Sequence, residues 1–276
     1  MNEKLNYLNV GCGSKYHKDW VNIDMNSYDQ DVLSCNLLKG IPFPDEHFEV
    51  LYHSQVLEHI PKEKAFYFMK ECHRVLKKNG IIRVVVPDLE NIVNEYKKHL
   101  NENLKNPSIE TEANYDWIML EMYDQTVRNN SGGQMAKYLQ QEKIVNEQYV
   151  LNRTGNVGIS IRKNYLSGTD DTNKKVFKTL RLTGLSKKAL GYIKRKIITL
   201  FLGEKYQIGD FRLGGEIHMW MYDKFSLSRL LKDAGFKDIK VKNSFESEIP
   251  DWNFYELDKT DQLDLDSVSL FIEAKK

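Results

Sequence analysis

Leu8-Asn9-Val10-Gly11-Cys12-Gly13-Ser14, followed by Val21-Asn22-Ile23-Asp24, decides how this chain is read. A short apolar strand runs into two glycines, and a second strand ends in a carboxylate. Glycine lets the backbone turn sharply and come close to a ligand. A carboxylate at the end of the neighbouring strand can accept hydrogen bonds from both hydroxyls of a ribose. The pair points to a nucleoside-containing cofactor. A dinucleotide site wants a third glycine three residues after the second. Ser14-Lys15-Tyr16 stands there instead, which disfavours NAD.

Outward from that stretch, the first hundred residues alternate between strands and helices. Leu5 to Val10, Trp20 to Asp24, Asp31 to Leu37 and Phe48 to Tyr52 read as strands. Pro61 opens a helix that carries Ala65, Phe66, Met69, Cys72, Val75 and Leu76 at three-to-four spacing and stops at Asn79-Gly80. Ile81 to Val86 is a buried strand halted by Pro87. Near the other end, Ser226 to Ala234 is an amphipathic helix, and Ile239 to Phe245 and Ser267 to Ala274 are strands. An acidic loop with Glu256, Asp258, Asp261, Asp264 and Asp266 joins those two strands, so the last should lie antiparallel. Such alternation builds an α/β protein with a mostly parallel seven-stranded sheet.

Residues 104–215 break the pattern. Helical segments around Asp116 to Asp124 and Gln134 to Leu151 flank Gly132-Gly133, and a polar stretch runs from Ser167 to Asn173. Between Asn173 and Gly203 there are nine Lys or Arg and no acid. The expected organisation is a core of 1–103 with 216–276, interrupted by a mainly helical lid and substrate insertion at 104–215.

Composition sets wide limits. Hydrophobic residues make up 41% and charged residues 29%, with a formal net charge of +1, so nothing pulls the chain as a whole toward nucleic acid. Cys12, Cys35 and Cys72 form no C-x-x-C pair and no disulfide framework. No signal-peptide region and no run near ~18 apolar residues stands out, and the cytoplasm is the expected compartment. Within 187–202, Leu190, Ile193, Ile197, Leu200 and Phe201 share one helical face. That basic helix would pack on the core or touch the inner face of an anionic membrane. No metal site is expected, because neither spacing nor faces bring His53 and His73 together. The oligomeric state is left open.

In an open α/β sheet the carboxyl ends of the strands line the ligand crevice. Gly11 to Ser14, Asp24, Cys35-Asn36 and His53 to His59 would meet there. These stretches, together with Ile41-Pro42-Phe43-Pro44-Asp45, Ser54-Gln55-Val56-Leu57-Glu58-His59-Ile60 and Arg74-Val75-Leu76-Lys77-Lys78-Asn79-Gly80, resemble the class I S-adenosylmethionine-dependent methyltransferases. The likeness is to type 11-like members with a short glycine loop, associated with surface-glycan biosynthesis. It covers about residues 5 to 90, with a fainter echo at Leu230 to Phe236.

The resemblance implies a Rossmann-like methyltransferase fold and S-adenosyl-L-methionine as cofactor. It places Gly11, Cys12 and Gly13 beside the methionine part and Asp24 on the ribose. Cys35 and Asn36 would border the adenine, and Ser54, Gln55 and Leu57 would flank the methionine end. Two departures stand out. Asn9 replaces an acid often found before the glycines, and Asp24 follows Gly13 by eleven residues, which clips the first helix to a turn around Lys15 to Asp19.

His59 is a candidate general base. In Gly214-Gly215-Glu216-Ile217-His218-Met219-Trp220-Met221-Tyr222-Asp223, strand alternation would aim Glu216, His218 and Trp220 one way, with Glu216 and His218 as further catalytic candidates. Tyr123, Arg128, Trp220 and Tyr222 are the candidate acceptor contacts. The expected function is O-methylation of a sugar in a surface glycan or its precursor. The rivals are O- or N-methylation of a small natural product, or a non-catalytic cofactor-binding protein whose insertion meets a partner or a membrane.

Overall fold

A computed structural model describes residues 6–27, 29–168, 203–258 and 268–276. Those residues form two units, one of residues up to Asn106 with His218–Lys276 and the other of Pro107–Ile217.

The first unit holds seven strands: β1 (Tyr7–Val10), β2 (Val21–Asp24), β3 (Val32–Ser34), β4 (Phe48–Ser54), β5 (Leu76–Pro87), β6 (Lys237–Lys242) and β7 (Ser269–Lys275). They hydrogen-bond in the order β3-β2-β1-β4-β5-β7-β6. The first five pair in parallel, while β7 runs antiparallel to both β5 and β6. This is the expected Rossmann-like methyltransferase sheet with its antiparallel last hairpin. Between β1 and β2 there is a turn and no helix, as the short spacing required.

Register explains which residues are core. Leu8 lies opposite Val21 on one side and Leu51 on the other, so apolar positions line up across the sheet. One face packs on helices α1 (Lys62–Val75) and α6 (Lys224–Ala234) through Met69, Cys72, Leu227 and Leu231. Helix α6 starts at a capping box in which Asp223 accepts from the Ser226 N–H at 2.7 Å, and it stops at Gly235. The other face is aromatic: Tyr7, Trp20, Tyr52, Trp252 and Phe271 pack together, several of them edge to face. Helix α2 (Leu89–Lys105) follows β5 and is capped by Asp88.

One boundary differs from expectation. The α1 helix ends at Val75, and Leu76 already belongs to β5, opposite Phe48. Asn79 adopts a left-handed φ of 63°, and a side chain on Gly80 would press within 2.9 Å of the Lys77 carbonyl. The Asn-Gly pair therefore shapes the start of a strand and does not cap a helix.

Arg83 on β5 is wholly buried on the aromatic face. Its Nε donates to Asp258 Oδ2 at 2.7 Å and its Nη1 to Glu273 Oε1 at 2.7 Å. It also donates to the carbonyls of Glu246 and Asn243, and its guanidinium lies 4.6 Å from the Trp252 ring centre.

The second unit contains α3 (Ile109–Val127), α4 (Gly133–Leu139) and α5 (Glu147–Leu166) around Trp117, Leu139 and Val150. The expected helix from Gln134 to Leu151 is in fact two, parted by residues 140–146. Asp124 reaches from α3 to accept from the N–H groups of Gln134 and Met135 at 2.8 and 3.4 Å. A side chain on Gly133 would strike that carboxylate at 2.2 Å, so glycine is required there. The basic stretch 187–202, and with it the membrane reading, lies outside the described residues, as do Asp261, Asp264 and Asp266. Among the described residues no helix is long and apolar enough to cross a membrane.

Removing one partner of a buried ion pair leaves the others uncompensated, typically at a cost of about 3–5 kcal/mol. Arg83→Met should lower unfolding stability in urea by that amount, and adding Asp258→Asn and Glu273→Gln should restore much of it. A loss under ~1 kcal/mol for the single change would refute the network's importance.

Candidate functional site

The carboxyl ends of β1, β2, β3 and β4 face one edge of the sheet, and four chain exits leave from there. At the first exit Gly11 and Gly13 take left-handed φ values of 66° and 54°. The Gly11 N–H donates to the Ile23 carbonyl at 2.8 Å, which folds the loop onto the end of β2. A side chain on Gly11 would sit 2.4 Å from Val56 Cγ2, whereas one on Gly13 would meet nothing within 4 Å. Gly11 is needed for a close approach, and Gly13 borders open space.

Asp24 joins the two exits. Its Oδ2 accepts from the Gly13 N–H at 2.9 Å and its Oδ1 from the Asn26 N–H at 3.0 Å. Burial, then the Asp24 charge, push the Cys12 thiol up to about 11, so it stays protonated and is no nucleophile at neutral pH. Asn9 is buried, and its amide donates to the Lys15 carbonyl at 3.3 Å. It closes the far end of the glycine loop.

At the third exit the Cys35 N–H donates to the Asp24 carbonyl at 2.7 Å. Asn36 is exposed and its side-chain oxygen caps the following turn through the Leu38 N–H at 3.0 Å. At the fourth, Gln55 is exposed with a φ of 54°, and its N–H donates to the Val85 carbonyl at 2.9 Å. Ser54 is half-buried. Leu57 departs from the cofactor role implied for it, because its side chain is fully buried in the core. His53 is likewise buried against Phe68 (centroids 5.4 Å apart), and burial pushes it down to about 3, leaving it a neutral core ring.

The turn after β4 carries the feature that the sequence reading passed over. Glu58 is 1% exposed, and neither carboxylate oxygen has a hydrogen-bond partner. Its carbonyl accepts from the N–H groups of Met219 and Trp220 at 2.6 and 3.2 Å. That clamp brings His218 against His59, edge to face with centroids 4.8 Å apart. Trp220 is 40% exposed with Lys62 Nζ 3.7 Å from its ring centre.

The expected alternation through Glu216–Tyr222 fails. Ile217 and His218 are both buried and Met219 and Trp220 both exposed, because the segment is irregular until Tyr222 bridges to Asp88. Tyr222 is buried in the core with its hydroxyl unpartnered, and burial, then the Glu58 charge, push it up to about 12. As placed, it is a core residue and not a surface contact.

Tyr123, Arg128 and Glu216 belong to the second unit. Tyr123 is exposed. Arg128 lies 3.3 Å from Glu216, whose carboxylate also accepts from the Gly132 N–H at 3.1 Å. Glu216, expected as a catalytic acid or base, is thus engaged in holding the glycine pair and Arg128.

Comparison with known proteins agrees at the glycine-loop end. Residues 8–84, less than a third of the chain, match a family described as a methyltransferase domain. No curated protein matches the chain. A solved SAM-dependent methyltransferase from Archaeoglobus fulgidus is 12% identical, with 99% of this chain and 86% of that one covered and a TM-score of 0.38. One from Thermotoga maritima, titled a possible histamine N-methyltransferase, is 11% identical, covers 98% and 82%, and scores 0.39. One from Mesorhizobium loti is 12% identical, covers 99% and 91%, and scores 0.37. With scores below 0.5, the fold rests on the strand order itself.

Forcing a non-glycine residue into the left-handed region costs about 1–3 kcal/mol, and overpacking adds a similar amount. Gly11→Ala should therefore destabilise clearly more than Gly13→Ala in urea unfolding, and Val56→Ala in the Gly11→Ala background should recover part of the difference. Equal losses at the two glycines would contradict the geometry.

Proposed function

We propose that this chain, which carries a methyltransferase domain on a Rossmann-like methyltransferase sheet, transfers a methyl group to a sugar hydroxyl of a surface glycan or its precursor. The cofactor is S-adenosylmethionine. The observation that carries the cofactor half is Asp24, an acceptor at the end of β2 bound to Gly13 of the loop where a ribose would arrive. Gly11, Cys12 and Gly13 would pass beside the methionine part, Cys35 and Asn36 beside the adenine, and Ser54 and Gln55 beside the reacting end.

Methyl transfer is a displacement in which acceptor oxygen, methyl carbon and sulfur must align, and alignment supplies much of the rate. His59 and His218, clamped together at the exit of β4, are the groups proposed to meet the acceptor, with Trp220 as an apolar wall for a sugar ring. Tyr123 and Arg128 of the insertion are proposed to bind the acceptor's hydroxyls. The sugar itself is supported by the resemblance to enzymes of surface-glycan biosynthesis and by these polar side chains.

Calorimetric titration with S-adenosylhomocysteine should show a 1:1 complex, and Asp24→Ala should weaken it about tenfold or more, the loss of ~1.4 kcal/mol or above expected for charged hydrogen bonds. No binding by the native chain would defeat the proposal. With methyl-labelled cofactor, label should enter lipid-linked or polymeric glycan; label confined to small amines or aromatic acceptors would defeat the sugar assignment.

A further inference from the structure

We propose that Glu58, His59 and His218 form a binding site for one Zn2+ ion. One carboxylate oxygen and two imidazole nitrogens, one from each residue, lie within 4.8 Å of one another. Two imidazoles and a carboxylate suit Zn2+ and its late first-row neighbours, whereas Mg2+ and Ca2+ prefer oxygen shells.

Two observations lift this above mere proximity. The Glu58 carboxylate is buried with both oxygens lacking a hydrogen-bond partner. A buried carboxylate stays ionised where it is paired or coordinates a cation and otherwise takes up a proton, and here no hydrogen-bond donor reaches it. Its position is also built independently of any ion. Met219 and Trp220 donate to the Glu58 carbonyl, and that main-chain clamp brings His218 to the turn bearing Glu58 and His59. His59 Nε2 lies 3.9 Å from Glu58 Oε1, and the two rings meet edge to face.

Ligand distances near 2.0–2.2 Å put tetrahedral donor atoms about 3.4 Å apart, so the cluster need only contract by side-chain rotation. Three protein ligands would leave a fourth position open. The expectation of no metal rested on His53 and His73; the fold instead brings together His59 and His218, which lie far apart along the chain. An oxygen of the acceptor would occupy the open position, and that role rests on the proposed function, whereas the site does not.

The test uses the full chain, stripped with chelator and reloaded. Dialysis against Zn2+ followed by elemental analysis should give one ion per chain. Co2+ in its place should show the intense visible bands of a tetrahedral site. Glu58→Gln and His218→Gln should each weaken binding about tenfold or more, since even outer-shell changes cost metal sites 10–100-fold, while His73→Gln, in the last turn of α1 against Phe236, should not. His59→Gln, at a half-exposed position, serves if a buried variant fails to fold. Zn2+ should raise the melting temperature of the native chain but not of Glu58→Gln. Substoichiometric zinc in the native chain, or equal binding by all variants, would overturn the site. Titration of the loaded protein with S-adenosylhomocysteine separates the two claims: zinc without cofactor binding would leave the site standing and remove the function.

Discussion

Arg83 places a full positive charge in the middle of the sheet with no exposure to water, and much of the first unit is arranged to satisfy it. Desolvating a guanidinium is costly unless acceptors surround it. Asp258 and Glu273 supply the opposite charge, and the carbonyls of Asn243 and Glu246 fill the remaining donors. Each acid is itself held, Asp258 by the Tyr52 hydroxyl at 2.5 Å and Glu273 by the Glu248 N–H at 2.8 Å. These bonds draw the 243–258 segment over a sheet face that the clipped first helix leaves to Trp20 and its aromatic neighbours. Arg83 also sits two residues before Val85, whose carbonyl fixes Gln55 at the exit of β4. The charge network and the candidate site therefore share a strand.

Three left-handed backbone positions lie at that same edge. Gly11, Gly13 and Gln55 all adopt positive φ at or beside strand ends. Such conformations persist where surrounding bonds over-determine them, and they cluster at functional positions. Here the Ile23 carbonyl, the Asp24 carboxylate and the Val85 carbonyl do the fixing. Asn9 follows the same logic. Its side chain is buried and tied to Lys15, so the residue shapes the loop from beneath.

What the sequence makes legible is whatever depends on local period and turn chemistry. The apolar runs of β1 and β4, the amphipathic run of α6 and the missing helix between Gly13 and Asp24 all follow from short-range rules. The site was legible where it lies on those elements, at Gly11, Gly13 and Asp24. It was hidden where distant segments decide it. Nothing near His218 announces that two main-chain bonds to Glu58 will break the strand alternation and bury it beside His59. Nor does Gly133 announce that an aspartate of another helix fills the place of its side chain. Leu57 was assigned to the cofactor by its place in a motif, and the core claimed its side chain instead.

The electrostatics of the crevice fit a sulfonium donor for a reason that composition alone could not supply. A sulfonium is cationic before transfer and neutral afterwards, so the glycine loop and the core beneath it are best left without further ionised side chains. Cys12 and His53 meet that condition through burial. The Cys12 thiol is held protonated and His53 is held neutral. Asp24 is the carboxylate bound to the glycine loop, and both its oxygens already accept main-chain N–H groups that spread its charge. A ribose held by that carboxylate, as proposed, would anchor the cofactor at its uncharged end.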